Sequence, residues 1–217
     1  MKNLGKFRVH NGGALLVGVL SFMLMAGCSS SSMDLTSATV KQPHTTTPRD
    51  YVYLIGPGDK VNLFVWRNPE VSNSVVVRPD GKITSPLVEE LAASGKTPEQ
   101  LARDIEKVLG EYIKEPIVTV MVSGFVGPYS EQIRIIGEAA NPQSIPYRED
   151  MTLLDVMIAV GGITEFAAGN KATVVRVVEG QQKEYRVKLN SLIRDGDISA
   201  NVDMLPGDIL IIPESFF

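Results

Sequence analysis

Catalysis needs side chains that exchange protons, attack an electrophile or hold a metal, and this 217-residue chain is poor in them. Its two histidines, His10 and His44, and its single cysteine, Cys28, all precede residue 49. Ser–His and Cys–His relays need a base beside the nucleophile, and the usual zinc sites need His or Cys ligands, so the remainder of the chain supports neither. Carboxylates are left, and a glycosidase needs only two of them roughly 5–10 Å apart. Asp59, Asp208, Glu89 and Glu90 are the candidates. Each of the two aspartates closes a Pro-Gly-Asp turn, and adjacent glutamates on a strand face opposite ways. No enzymatic activity is therefore expected. No glycine-rich stretch matches a phosphate loop or dinucleotide fingerprint, and no carboxylate run has calcium-loop spacing, so no cofactor or metal is expected. Trp66, the lone tryptophan, ends an apolar strand. Such a residue packs in a core or interface more often than it serves as a sugar-stacking platform.

Cys28 has no partner for a disulfide and no neighbouring base to activate it as a thiol. Its surroundings explain it differently. Lys2, Lys6 and Arg8 open the chain, and the apolar run "ALLVGVLSFMLMAG", Ala14 to Gly27, follows. Basic start, short apolar stretch and small residues make a secretory signal; an uncleaved N-terminal anchor is the alternative reading. "LMAGC" resembles a bacterial lipobox, with Met25, Ala26 and Gly27 before Cys28. The resemblance implies cleavage after residue 27 and a lipid on Cys28, and Ser29 in place of aspartate points towards the outer membrane. Cleavage removes three cations and no acid, shifting the net charge from −4 to −7. Nucleic acid is then a poor partner, because phosphate binding needs a basic face.

The elements behind this signal are legible from periodicity and punctuation. Residues 28–48, rich in Ser and Thr, are expected to be a flexible tether. "YVYLIGPGDKVNLFVW" reads as a short strand, the turn Gly56-Pro57-Gly58-Asp59 and a longer alternating strand. "VVVRPDGKITSPLV" reads as a hairpin about Asp80-Gly81. Thr97 to Tyr112 reads as a helix with a capping box from Thr97 to Gln100 and one apolar face, Leu101, Ile105, Val108, Leu109 and Tyr112. A buried strand, Ile117 to Val122, follows. The second half begins with the strand "QIRIIGE", Gln132 to Glu138. A buried helix starts at Thr152, with Asp155 closing a second capping box, and ends at Gly161-Gly162. Two strands turning at Glu179-Gly180, a helical turn at Asn190–Arg194 and a last strand, "GDILIIP", complete the reading. The turn Pro206-Gly207-Asp208 echoes the first Pro-Gly-Asp.

These segments carry a family likeness. "YLIGPGDKVNLFVW", "VRPDGKITSPLV" and "GKTPEQLARDIEKVLGEYIKEPIVTVMV" resemble successive parts of the polysaccharide export domain. "IRIIGEAANPQSIPYREDMTLLDVMIAVGGIT" resembles the soluble ligand-binding β-grasp (SLBB) domain, with Gly137, Pro142, Thr152, Asp155, Gly161 and Gly162 at its characteristic places. The resemblance implies an α+β fold. Its parts would be a signal peptide at 1–27, the tether, an export domain at 49–126 and an SLBB domain with C-terminal strand at 130–217. It also implies that the strand after the first Pro-Gly-Asp packs with the second domain.

For function, the likeness to Wza-type lipoproteins implies a lipid-anchored, mainly periplasmic protein of the outer membrane. It would assemble as a homo-oligomeric ring that exports capsule or exopolysaccharide, above an inner-membrane co-polymerase of chain-length-determinant or tyrosine-kinase type. Its partners would be that co-polymerase, the polysaccharide chain and outer-membrane lipid. The alternative is a periplasmic lipoprotein that binds a glycan or a partner without forming a channel. Larger members add an SLBB repeat and a long C-terminal membrane-spanning helix; a sequence stopping at "IIPESFF" is expected to be a short form without that helix.

Overall fold

The computed structural model describes residues 38–215. The expected signal peptide, Cys28 and the first part of the tether lie outside the described residues, as do residues 216–217. Ten strands and three α-helices follow one another.

The first half is built on a three-stranded antiparallel sheet in the order β2-β1-β5, with β1 at Lys60–Val65, β2 at Asn73–Val76 and β5 at Val118–Gly124. Strict alternation sends Val61, Leu63 and Val65 inward and leaves Lys60 and Phe64 outward. Helix α1, Pro98–Leu109, closes the inner face with Leu101, Ala102, Ile105 and Leu109. Its start is fixed as the sequence predicts: the Thr97 hydroxyl accepts from the Gln100 N–H at 3.2 Å, and the Gln100 side chain accepts from the Thr97 N–H at 3.0 Å. The helix is one turn shorter than its apolar spacing predicts. Gly110 takes over as C-cap, and Tyr112 lies exposed beyond it.

A second ribbon pairs β3, Lys82–Ser85, with β4, Val88–Ala92. This corrects the expected hairpin. The Asp80-Gly81 turn forms, with the Gly81 N–H donating to the Arg78 carbonyl at 2.8 Å, but β2 and β3 do not pair across it. The Arg78 N–H donates to the Lys82 carbonyl at 2.9 Å across the turn, but the ladder goes no further; β3 pairs with β4 instead, and the Gly81 carbonyl accepts from the Ala93 and Ser94 N–H groups, so the turn is clasped by the residues just after β4.

The second half is a five-stranded mixed sheet in the order β7-β6-β10-β8-β9. Its strands are β6 (Gln132–Gly137), β7 (Ser144–Pro146), β8 (Thr173–Val178), β9 (Gln181–Arg186) and β10 (Ile209–Ile212). The last strand lies parallel to β6 and antiparallel to β8, a central place that explains its unbroken "ILII". Helix α2, Leu153–Val160, buries Leu153, Val156, Met157 and Val160 against Ile133, Ile135, Leu210 and Ile212. Gly161 and Gly162, both left-handed, end it. Short α3, Leu189–Ile193, covers another edge of that core. At Gly137 a Cβ would lie 2.0 Å from the Ile212 carbonyl oxygen, so β6 and β10 approach at a position only glycine can fill.

The strand after the first Pro-Gly-Asp does not join the second sheet. β1 pairs with β2 and β5 alone, and its buried side chains belong to the first core. The described residues from Thr39 onward nevertheless form one compact unit.

Candidate functional site

The two Pro-Gly-Asp turns share one local design. Gly58 and Gly207 take positive φ, 91° and 79°, and each aspartate folds back on the residue three before it. The Asp59 carboxylate accepts from the Gly56 N–H at 2.9 Å, and the Asp208 carboxylate accepts from the Leu205 N–H at 2.8 Å. Both aspartates are fully buried, where a carboxylate must be hydrogen-bonded on both oxygens.

The second oxygen distinguishes them. That of Asp59 accepts from the Val126 and Gly127 N–H groups at 2.6 and 3.0 Å, and the Tyr53 hydroxyl donates to the same carboxylate. The carboxylate thus ties the first domain to the segment leading into the second. Gln132 finishes the knot, its amide donating to the carbonyls of Val126 and Gly127 at 3.1 and 3.3 Å. Gly56 is dictated by the same approach: a Cβ there would stand 1.9 Å from the Gly127 carbonyl carbon. Asp208 instead meets the Arg176 guanidinium in a two-point contact at 2.7 and 2.8 Å. Burial works against the charge on Arg176, but contact with Asp208 outweighs it and the net direction is up. Burial, then the bond to Asp59, pushes the Tyr53 hydroxyl far above the ordinary tyrosine range. Tyr51 is pushed up to about 12, by burial first and then by Glu131.

The segment before the first strand is held as well. Gln42 donates to the Val177 carbonyl at 3.3 Å and accepts from the Gly180 N–H at 3.0 Å. The His44 N–H donates to Glu131 at 2.8 Å, and Pro43 and Thr45 are buried. Pro43 sits so close to Gly207 that a Cβ there would meet it at 2.6 Å. Residues expected as the end of a flexible tether therefore lie against the second domain from Gln42 onward.

Two surfaces bear on the functional reading. The outer face of the β2-β1-β5 sheet carries Phe64, Met121 and Val76, all exposed, with Trp66 just beyond the end of β1. Phe64 and Trp66 rings stand edge to face at 6.4 Å, and Arg67 lies over the tryptophan. Trp66 is 53% exposed, so it is no part of the core. The other surface is a cleft where the two domains meet, lined by Tyr51, Tyr53, Phe125, Pro146, Tyr147, Arg148 and Glu149.

The carboxylates weighed for chemistry stand apart in role. Asp59 and Asp208 are consumed by their turns, and Glu90 is ion-paired with Lys82 at 2.7 Å and Arg78 at 3.3 Å. Asp80 pairs with Arg78 at 2.6 Å beside the Gly81 turn. Among the described residues no group of three or more His, Cys, Asp or Glu is placed to hold a metal. Sequence reasoning missed Arg176, Gln132 and Tyr53. A lone arginine inside the apolar strand "TVVRVV" was the available signal for the first; the other two had none.

The order of parts, a three-stranded sheet under one helix joined by a short knot to a mixed sheet gripping another, defines a two-domain scaffold with no recognisable catalytic centre among the described residues. Residues 47–123 match the family described as polysaccharide biosynthesis/export protein, and residues 131–212 match the SLBB domain. The chain is thus a polysaccharide export domain followed by an SLBB domain. It is 26% identical over 187 residues to the EPS I polysaccharide export outer membrane protein EpsA of Ralstonia nicotianae, covering 75% of this chain and 47% of that protein. The EpsA of Ralstonia solanacearum is 27% identical over 183 residues, 73% of this chain and 47% of the relative. The exopolysaccharide production protein ExoF of Rhizobium meliloti is 28% identical over 133 residues, 55% of this chain and 30% of the relative. The chain spans about half the length of the EpsA relatives.

Proposed function

We propose that this chain is a subunit of an outer-membrane ring that passes exopolysaccharide from the periplasm to the cell surface, anchored through a lipid on Cys28. The observation that carries the reading is the set of uncovered apolar side chains on the outer face of the export-domain sheet. Phe64, Trp66, Val76 and Met121 remain exposed on it, although the other face of the same sheet is sealed by α1. These side chains are spaced along an outer face that also carries Lys60, Asn62 and Thr119, the monomer leaves them uncovered, and in this reading neighbouring subunits supply the cover. Among the described residues no helix is long and apolar enough to cross a membrane. Passage is passive in this reading: the ring guides the polymer, and the driving force comes from synthesis at an inner-membrane co-polymerase. The named role of the relatives in polysaccharide export supports it.

Deleting the gene is expected to trap polysaccharide in the periplasm, and the protein extracted in mild detergent is expected to be a closed cyclic oligomer. A strain carrying Trp66→Glu should lose both the oligomer and export while the purified monomer keeps its thermal transition. Normal secretion by the deletion strain would remove the export role. Monomers alone in electron-microscopy class averages, from a strain that secretes normally only with the gene present, would favour a binding lipoprotein over a conduit.

A further inference from the structure

The cleft between the domains has a chemistry of its own. Its volume is about 440 Å3, inside the range of small-ligand clefts. Two aromatic pairs build it, each contributed jointly by the two domains or their linker: Tyr51 with Tyr147, centroids 5.0 Å apart, and Tyr53 with Phe125, 5.4 Å apart. Tyr147 is buried, so the ring surface open to a third body comes from Phe125 and from the half-buried Tyr51 and Tyr53. The hydroxyls of Tyr51 and Tyr53 are turned away from this role. The first donates to the Tyr147 carbonyl at 3.4 Å and the second to Asp59. The cleft therefore offers aromatic carbon rather than phenolic hydroxyls. Phe125 is 60% exposed beside it, a large apolar ring kept in water at the junction.

Polar groups stand at the rim. Arg148 and Glu149 are exposed, adjacent and opposite in charge, and neither makes an ion pair among the described residues. Together they supply a fork of donors and a pair of acceptors with no net charge. A ligand complementary to this arrangement is flat, apolar on one face, fringed by hydroxyls and uncharged. A pyranose ring has that form: its C–H face meets the electron-rich aromatic face, and its hydroxyls meet guanidinium and carboxylate. An anion would be opposed by Glu149 and by the neighbouring Asp150.

We infer that this interdomain cleft is a binding site for a neutral pyranose segment of the exported polymer. The identity of the ligand rests on the export reading; the cleft's chemistry does not. The site is distinct from the open sheet face, so subunit contact and sugar contact use different surfaces of the chain.

The test uses the purified full-length chain and oligosaccharides made by partial hydrolysis of the polysaccharide secreted by the strain that carries it, separated into neutral and acidic fractions. Saturation-transfer NMR should show transfer to ring C–H protons of the neutral fraction. Phe125→Ala and Arg148→Ala should each weaken binding by about fivefold, and Tyr112→Ala, at an exposed tyrosine just beyond the end of α1 and outside the cleft lining, should leave it unchanged. Circular dichroism confirms that each variant is folded. No transfer from any fraction, binding by the acidic fraction alone, or binding indifferent to both cleft variants overturns the inference. The deletion strain separates the two readings. Trapped polymer with no cleft binding keeps export and removes the cleft, whereas cleft-dependent binding with normal secretion keeps the cleft and removes export.

Discussion

The two Pro-Gly-Asp turns are the same object to a distance of four residues and different objects beyond it. In both, a left-handed glycine lets an aspartate bond the N–H three residues back and launch an apolar strand. The first then spends its free oxygen on the backbone of residues 126 and 127, the second on the side chain of Arg176. A backbone donor cannot be rotated away, whereas a guanidinium on a flexible stem can. The comparison teaches that one local motif can serve as a fixed seam between domains or as an adjustable tie within one.

Removing each carboxylate is the strongest way to break that distinction. Asp59→Ala strands three N–H groups and the Tyr53 hydroxyl around a buried position, at about 1–3 kcal/mol each, a sum comparable to the stability of a whole domain. We expect loss of the cooperative thermal transition, with Asp59→Asn retaining part of it through its remaining acceptor. A melting temperature within a few degrees of the parent would refute the seam.

Asp208→Ala should cost less, about 3 kcal/mol, because Arg176 is only partly buried and can swing towards solvent. Arg176→Met in an Asp208→Asn background should cost less than Arg176→Met alone, by about 1–2 kcal/mol in a double-mutant cycle read by chemical denaturation. Strict additivity would mean the pair is incidental.

Next in size is the residue three before each aspartate. Gly56→Ala drives a methyl into the Gly127 carbonyl and should cost about 2–3 kcal/mol, whereas Leu205 already carries a side chain at the equivalent place. Equal tolerance at the two positions would show that the close approach at residue 127 relaxes freely.

The smallest effect concerns Glu131, which binds the segment lying beside the second turn. Burial raises its pKa above the ordinary 4.5, opposed by the His44 N–H. A raised carboxylate favours the folded state most below 4.5 and loses that contribution as pH rises through its folded value. Glu131→Gln should remove this dependence. The variant's melting temperature, measured against the parent, should gain as pH rises from 4 to neutral, and a constant offset would contradict the assignment.

Much of the fold was legible because its signals are local. Thr97 with Gln100 and Thr152 with Asp155 announced both capped helices, and glycine positions announced the turns. What failed was the choice of distant partners. The strand after Asp59 looks like the strand after Asp208, yet hydrogen-bond demand from β2 and β5 keeps it in its own sheet. Asp80-Gly81 promised a hairpin and made a turn closed by one bond between Arg78 and Lys82, because β3 takes β4 as its partner. Of the candidate site, the aspartates were visible, but Arg176, Gln132 and the cleft formed by Tyr51, Tyr53, Phe125 and Tyr147 come from positions far apart in the chain, and alternation alone does not bring them together.

The docked segment at Gln42 to Thr45 sets an order of events. Its partners, Glu131, Val177, Gly180 and Gly207, lie 87 to 138 residues later in the chain for the bonded pairs. A chain that emerges from its amino end cannot seat this segment until almost all of the rest has appeared and the second core has closed. Seating of this segment is thus a late event, and until Glu131, Val177 and Gly180 are in place nothing bonded to it here can hold it.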